Sequence, residues 1–457
     1  MDRHEGGRDQ RVVALNRARP QPVPPDVARL ASHLAHLLDD AIEVRGTGIG
    51  VRDVAGAFLG VDPVDLVAST AHLLGMRFHL AALALAEDLE RHPPARLIGE
   101  DVEEPPRWEQ LDLGDSSPRI PVALAAAWTA GTLADVPLVV GVSRDYSRSD
   151  FELVVYSRRE DEVVARAHLE DLTSRARRGA NPFRGQVLEA GETNGLGLTF
   201  SVLTPRPTPR EEIVLPDAVW AEIDLNVHGL FAAADRLGAA GLAPNRGVLL
   251  EGPPGTGKTA ICRALAGELV GPTTVVFCDA RTVSRYVREL YRQLEDLAPA
   301  LVVMEDVDLV IADRGRFGGG EPLNDFLLAL DGAMSRHAGV VTVATTNDVS
   351  AIDPAARRSS RFDCVVTVGP PDRRARTQIL RHLLDRLGPD GATVDATRVA
   401  AVTDGLTGAD LRELVSLAVL HGADAARTGE GADELTTELL IELARSRAPE
   451  ESAGLYL

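Results

Sequence analysis

The sequence predicts an α/β fold with a parallel sheet in its middle part, followed by a helical C-terminal part. Three observations predict this fold. Residues 210–370 alternate short buried strands with helices, and residues from 371 onward show helical periodicity alone. A strand, a glycine-rich loop and a helix follow one another at residues 246–269. Before this core, the pattern predicts a helical bundle and a small mixed α/β region.

The 457 residues are long enough for two or three domains. Composition and periodicity divide them into a disordered N-terminus (1–25), a helical N-terminal module (26–92), a proline-rich acidic linker (93–118), a mixed α/β domain (119–205), the α/β core (210–370), a helical lid (371–447) and a flexible tail (448–457). In the helical module, residues 51–74 also allow a helix-turn-helix interpretation. A module that contacts proteins is favoured, because the chain is acidic.

Bulk composition excludes several classes of function. The formal net charge is −20, which argues against general binding of nucleic acid. The three cysteines are far apart and form no CxxC motif, so neither a disulfide framework nor a zinc site is predicted. We expect no membrane span and no secretory signal, because long apolar runs are missing and the N-terminus is polar. The expected location is therefore the cytoplasm.

Lys258 is the only lysine of the chain, and every other basic residue is arginine. It lies in Gly252-Pro253-Pro254-Gly255-Thr256-Gly257-Lys258-Thr259, a full match to the G-x-x-x-x-G-K-[ST] pattern. A P-loop lysine is a compact charge on a flexible stem, whereas a planar guanidinium is bulkier. Strand Arg246–Leu250 precedes the loop and a helix follows it, which is the context that this motif needs. The motif therefore predicts binding of nucleotide phosphates.

Two further strands end in polar residues after the P-loop. Residues 301–304 form a buried strand that ends in Glu305 and Asp306, and residues 340–344 form another that ends before Asn347. Carboxylates at a strand end lie beside the phosphates in a parallel sheet. One acid should hold Mg²⁺ and the next should orient the attacking water, while the amide can contact the water or the γ-phosphate.

With these motifs, residues from about 213 to 447 resemble an AAA+ ATPase module of the AAA clade proper. Further blocks carry the resemblance: Leu323–Leu327 with Asp331-Gly332, residues 352–363, and residues 405–411. The resemblance implies ATP and Mg²⁺ as cofactors and a homo-oligomeric ring, most often a hexamer. It also implies that Arg358 and Arg361 are arginine fingers that reach a neighbouring subunit's site. Its other site residues are Pro254, Gly255, Thr256, Gly257, Lys258, Thr259, Ala260, Gly408 and Ala409 for the nucleotide, Thr259 and Glu305 for the metal, and Asp306 and Asn347 for catalysis.

The chain departs from this family in three places. The acid pair reads Glu-Asp instead of Asp-Glu, an order shared with a branch resembling mitochondrial respiratory-complex assembly chaperones. The aromatic–hydrophobic–glycine triplet of a pore loop is missing, and Tyr286 is expected to pack in the next helix. The chain ends in Leu455-Tyr456-Leu457, which resembles the docking tail of actinobacterial proteasomal ATPases.

The main hypothesis is therefore an ATP-hydrolysing ring protein that remodels protein substrates selected by its N-terminal region. A first alternative is a nucleotide-gated scaffold with slow hydrolysis. A second is a regulatory ATPase that docks on a proteasome core through residues 455–457. No membrane partner is expected, and a nucleic-acid partner is disfavoured.

Overall fold

The computed structural model describes residues 50–145, 150–192, 197–204, 208–311, 328, 339–348, 361–428 and 435–447. Within these ranges the strands are β1 (Val67–Leu73), β2 (Arg96–Ile98), β3 (Arg107–Gln110), β4 (Arg119–Trp128), β5 (Leu138–Asp145), β6 (Asp150–Ser157), β7 (Val187–Glu192), β8 (Leu198–Val202), β9 (Arg246–Glu251), β10 (Thr274–Cys278), β11 (Ala300–Met304), β12 (Val340–Thr346) and β13 (Phe362–Thr367). The predicted disordered N-terminus, Arg358, the blocks 323–327 and 331–332, and the C-terminal tail lie outside the described residues.

In the described ranges the helices are α1 (Val51–Leu59), α2 (Gly75–Arg91), α3 (Glu162–Arg178), α4 (Asp217–Asn226), α5 (His228–Ala239), α6 (Lys258–Leu269), α7 (Ala280–Leu294), α8 (Asp308–Ile311), α9 (Arg373–Asp385), α10 (Pro389–Ala392), α11 (Ala396–Val402), α12 (Gly408–Thr428) and α13 (Thr437–Arg447). Short 3₁₀ turns occupy Pro63–Asp65, Arg159–Asp161 and Arg210–Glu212. None of the helices in these described stretches is long and apolar enough to cross a bilayer.

The N-terminal part is built around an antiparallel sheet with the order β1-β6-β5-β4-β2, in which β3 also pairs with β4. The helical prediction for residues 67–73 is wrong, because these residues form β1 and pair with β6 from Val67 opposite Ser157 to Leu73 opposite Phe151. Exposed and half-buried side chains alternate along β1, as the period of a strand requires. A helix-turn-helix across residues 51–74 is excluded for the same reason. Strands β2 and β3 lie inside the predicted linker, and the domain boundaries themselves remain predictions.

The second sheet has seven strands in the order β13-β9-β12-β11-β10-β7-β8. Every neighbouring pair is parallel except β7 with β8, so the predicted parallel sheet is confirmed. Strand β11 consists of buried apolar residues, the centre of β9 is apolar and buried, and β12 is buried throughout although it includes three threonines, as expected for a sheet covered on both faces. Strands β7 and β8 come from residues assigned by prediction to the N-terminal domain. They extend this sheet beside β10 instead.

The helical lid is also confirmed. Helices α9, α11, α12 and α13 pack around one apolar cluster that includes Leu380, Val399, Leu411 and Leu440. All four lie within the predicted lid, residues 371–447, where the sequence shows helical periodicity alone.

The antiparallel sheet packs against the parallel sheet through α2, α3 and α7. Asp296 follows α7 and is only 6% exposed. Its carboxylate accepts hydrogen bonds from Arg77 Nε at 2.9 Å and from Arg177 Nε at 2.8 Å. One apolar cluster continues from β4 and β5 through α2 to α7. Two charge-assisted hydrogen bonds from arginines of the N-terminal region to one buried carboxylate therefore join this region to the core.

Candidate functional site

The glycine-rich loop connects β9 to α6 at the carboxyl edge of the parallel sheet. Strand β9 is apolar and buried in its centre, so the loop starts from a fixed point. Gly257 precedes α6 with a φ of 103°, and Gly255 has a φ of 81°. Both values lie in the left-handed region, which glycine adopts without steric cost. The backbone can therefore turn its N–H groups toward an anion at the helix N-terminus.

A cavity of about 1030 Å³ opens above this loop, between the sheet and the lid. Its lining includes most of the predicted site residues, namely Pro254, Gly255, Thr256, Gly257, Lys258, Thr259, Ala260, Asp306, Asn347, Gly408 and Ala409. Ala409 N donates to Gly255 O at 3.2 Å, which brings the start of lid helix α12 directly against the loop. Residues from four separate segments of the chain thus surround one space.

Lys258 lines this cavity and is only 7% exposed. Its Nζ donates to Gly252 O at 2.7 Å, Pro253 O at 3.0 Å and Asn347 Oδ1 at 2.8 Å. Burial lowers its pKa, and the nearby carboxylates of Asp306 and Asp308 oppose that shift. The ammonium group is therefore held by neutral oxygens that a phosphate can replace.

The two acids after β11 are held by different neighbouring strands. Glu305 N donates to Cys278 O of β10 at 3.2 Å. Asp306 N donates to Thr345 Oγ1 of β12 at 3.0 Å. Asn347 Nδ2 donates to Asp306 Oδ1 at 3.2 Å, so Asp306, Asn347 and Lys258 form a continuous chain of hydrogen bonds. The two acids are adjacent in sequence, but their backbone N–H groups consequently bind different strands.

The side chains that would hold Mg²⁺ fit a hard cation. Glu305 Oε1 is buried without a hydrogen-bond partner in the described part of the chain, and Thr259 lines the cavity one residue after the lysine. A buried carboxylate oxygen without a donor is a suitable ligand for a cation. No group of three or more His, Cys, Asp or Glu that could hold a metal ion occurs among the described residues. Mg²⁺ at a nucleotide site often needs only one or two protein ligands beside the phosphates.

Arg361 lies at the amino-terminal end of the parallel strands, opposite the carboxyl end that carries the P-loop. It directly precedes β13, whose Phe362 pairs with Gly247 at the start of β9. The P-loop begins where β9 ends, so at about 3.3 Å per residue the two places are about 16 Å apart along the strand. Arg361 is half-buried and is not one of the described residues that line its own cavity. Arg358 lies outside the described residues.

Several lining residues were missed by the sequence analysis. Arg412 lies one helical turn after Gly408 in α12, a signal that the helical period could have given. Ile213 and Leu215 before α4, together with Ile379 and Leu383 of α9, form an apolar wall. That wall combines two segments far apart in sequence, so no local pattern indicates it. Arg386 and Glu212 form an ion pair that connects the same two segments.

The connection between β10 and α7 is a single residue, Asp279. Its carboxylate accepts a hydrogen bond from Thr282 N at 2.7 Å and caps α7. Tyr286 lies in α7, packs half-buried against the apolar core and does not project from a loop. Strand β10 therefore leads directly into a capped helix.

Comparison with known proteins agrees with this geometry. Residues 248–370 match the family model described as the ATPase family associated with various cellular activities (AAA). The chain is 38% identical over 208 residues to an ATP-dependent zinc metalloprotease FtsH of Slackia heliotrinireducens, covering 42% of this chain and 26% of the relative. It is 34% identical over 262 residues to the chloroplastic ATP-dependent zinc metalloprotease FTSH 7 of Arabidopsis thaliana, and this match covers 54% of this chain and 30% of the relative. The chain thus spans about a third or less of the length of these curated relatives.

Proposed function

We propose that this chain, in which residues 248–370 form an AAA ATPase domain, hydrolyses ATP in a homo-oligomeric ring and remodels protein substrates. The observation that carries the proposal is the chain of hydrogen bonds from Lys258 through Asn347 to Asp306 across one cavity. It brings a phosphate-binding cation within two hydrogen bonds of a carboxylate that can orient water. The relatives' names describe ATP-dependent enzymes, which supports the same activity here.

In this mechanism each residue has one task. The loop N–H groups and Lys258 bind the β- and γ-phosphates, and the ammonium exchanges its carbonyl partners for phosphate oxygens. Thr259 and Glu305 would hold Mg²⁺, which would neutralise part of the phosphate charge. Asp306 orients the attacking water and accepts its proton. Asn347 fixes the carboxylate of Asp306 relative to the lysine.

The ring is proposed because Arg361 lies beside the start of β9, about 16 Å along the strand from the P-loop of its own chain. An arginine side chain is shorter than this distance, so Arg361 is proposed to reach a neighbouring copy's site. Arg358, three residues earlier, is proposed to act with it. The N-terminal region, which is joined to the core through Asp296, is proposed to select the protein substrates.

Asp306→Asn tests hydrolysis. The amide keeps the size of the side chain but cannot accept a proton, so turnover should fall by about 10²–10⁴-fold while ATP still binds. Phosphate release and the Kd of a fluorescent ATP analogue measure the two quantities. Asp279→Asn is the matched control, because it changes an acid at the end of neighbouring β10 and asparagine also caps helices. Unchanged turnover in Asp306→Asn would overturn the assignment.

A nucleotide-gated scaffold is the second candidate function. It is favoured by the one-residue connection between β10 and α7, which leaves no loop there to pull on a polypeptide. Turnover stimulated by an unfolded protein would support remodelling. Partner binding that follows ATP occupancy, with negligible turnover, would support the scaffold.

A further inference from the structure

Asp306 has an unusual backbone conformation. Its φ is 50°, and among the described residues it is the one non-glycine residue with a positive φ. Aspartate and asparagine tolerate the left-handed region better than residues with longer side chains do. Strain of this kind persists only where the surroundings fix it. Contacts around Asp306 must therefore hold its backbone in this conformation.

Thr345 contacts the backbone of both residues that follow the acidic Glu305. Its hydroxyl Oγ1 accepts from Asp306 N at 3.0 Å, and its carbonyl oxygen accepts from Val307 N at 3.0 Å. Thr345 is only 2% exposed, so its rotamer is fixed by packing. The Asp306 N–H would otherwise lose a hydrogen bond in a partly buried position.

We infer that Thr345 is a positioning residue whose hydroxyl holds Asp306 in the left-handed conformation, from which the short carboxylate meets Asn347. Aspartate is one methylene shorter than glutamate, so the direction of its backbone matters more for where the carboxylate lies. Thr345 and Asn347 are two residues apart at the end of the same strand. One holds the backbone of Asp306 and the other holds its side chain. This inference rests on the proposed hydrolysis.

A second buried hydroxyl on the same strand provides a contrast. Thr342 is fully buried, and its Oγ1 forms a 2.8 Å hydrogen bond with the hydroxyl of Tyr291 in α7. That bond connects a strand to a helix in the core and touches neither acid. Thr342 and Thr345 are therefore both buried threonines of one strand. The hydroxyl of Thr342 contacts the core, whereas that of Thr345 contacts the backbone of Asp306.

The test compares Thr345→Val, Thr345→Ser and Thr342→Val in the full chain. Valine has the shape of threonine without the hydroxyl, so we expect kcat to fall about 10-fold or more in Thr345→Val, since small misplacements of a catalytic group are costly. ATP affinity should change by less than about 2-fold, because Lys258 and the loop are intact. Serine restores the hydroxyl and should restore most of kcat. Thr342→Val should keep kcat while its thermal midpoint falls.

A double-mutant cycle with Asp306→Glu sharpens the result. Glutamate keeps the carboxylate but fits the left-handed backbone less well, so turnover should fall and not rise. Adding Thr345→Val to Asp306→Glu should cost much less than it does in the wild type, because the positioned group is already displaced. Full additivity of the two changes would contradict the inference.

The outcomes separate this inference from the proposed function. A wild-type chain that binds ATP without hydrolysing it would overturn both. An active wild type with unchanged kcat in Thr345→Val would overturn the positioning role alone. Equal losses of kcat in Thr345→Val and Thr345→Ser, or a matching loss in Thr342→Val, would also overturn it, because the effect would then be one of packing.

Discussion

Two connections at the carboxyl edge of one parallel sheet differ completely in design. Beyond β9, six residues from Gly252 to Gly257 form an open loop whose glycines have positive φ values, and a large cavity lies above it. Beyond β10, the single residue Asp279 caps α7. The first connection exposes backbone N–H groups to a ligand. The second satisfies them within the protein.

The difference shows where the sheet can act on other molecules. The β9 side holds the residues predicted for nucleotide chemistry, and the β10 side is extended by β7 and β8 and connected to the N-terminal sheet. Variants on the two sides should have effects of very different size.

The largest effect is expected at Lys258, which follows the open loop on the β9 side. Lys258→Ala removes the cation that faces the phosphates, so kcat/KM should fall by about 10²–10³-fold, and ATP affinity should fall as well. Lys258→Arg should not restore activity, because a guanidinium differs from an ammonium group in shape and hydration. Phosphate release and analogue binding are the measurements.

Arg281→Ala is the matched control on the β10 side. It also removes one cation, from the first turn of α7, and should leave both quantities within about 2-fold, as is usual for surface changes. A loss of ATP affinity in Arg281→Ala comparable with that in Lys258→Ala would break the comparison between the two connections.

A smaller effect is expected at Gly255, where the loop meets the lid. A Cβ atom there would lie 2.5 Å from Thr407 Oγ1 and 2.8 Å from Ala409 Cβ, at a φ of 81°. Gly255→Ala combines this clash with left-handed strain of about 1–3 kcal/mol, so turnover should fall about 10-fold. Gly241→Ala has a φ of 72° and no atom within 4 Å of the new Cβ, so it measures strain alone. Equal turnover in both variants would show that the lid contact has no role.

Local sequence patterns predicted the P-loop, the strands around it and the lid helices well. The P-loop, the buried strands β9, β11 and β12, and the lid helices each have a signal within about 20 residues, because a strand or helix expresses its own period. Residues placed at strand ends by that pattern also come together, since parallel strands end at one edge. This is why Lys258, Asp306 and Asn347 lie close to one another.

Features that depend on pairing over long distances were not predictable in this way. Strand β1 lies in a segment predicted to be helical, and it becomes a strand because β6 pairs with it. The parallel pairing of β7 with β10 joins residues about 90 positions apart. The hydrogen bond from Asp306 N to Thr345 depends on the register of β11 against β12, which neither strand specifies alone.

The smallest effect is expected at Tyr286, which lies in α7 on the β10 side. Tyr286→Ala removes a half-buried ring that packs on the core and lies beside the guanidinium of Arg285, 5.3 Å from the ring centroid. The free energy of unfolding should fall by about 1 kcal/mol, and ATP turnover should stay within about 2-fold, with or without an unfolded protein present. Tyr286→Phe, which keeps the ring, should restore the stability. If Tyr286→Ala instead abolished stimulation by protein while basal turnover persisted, the tyrosine would contact substrate, and the connection after β10 would not be closed to polypeptide after all.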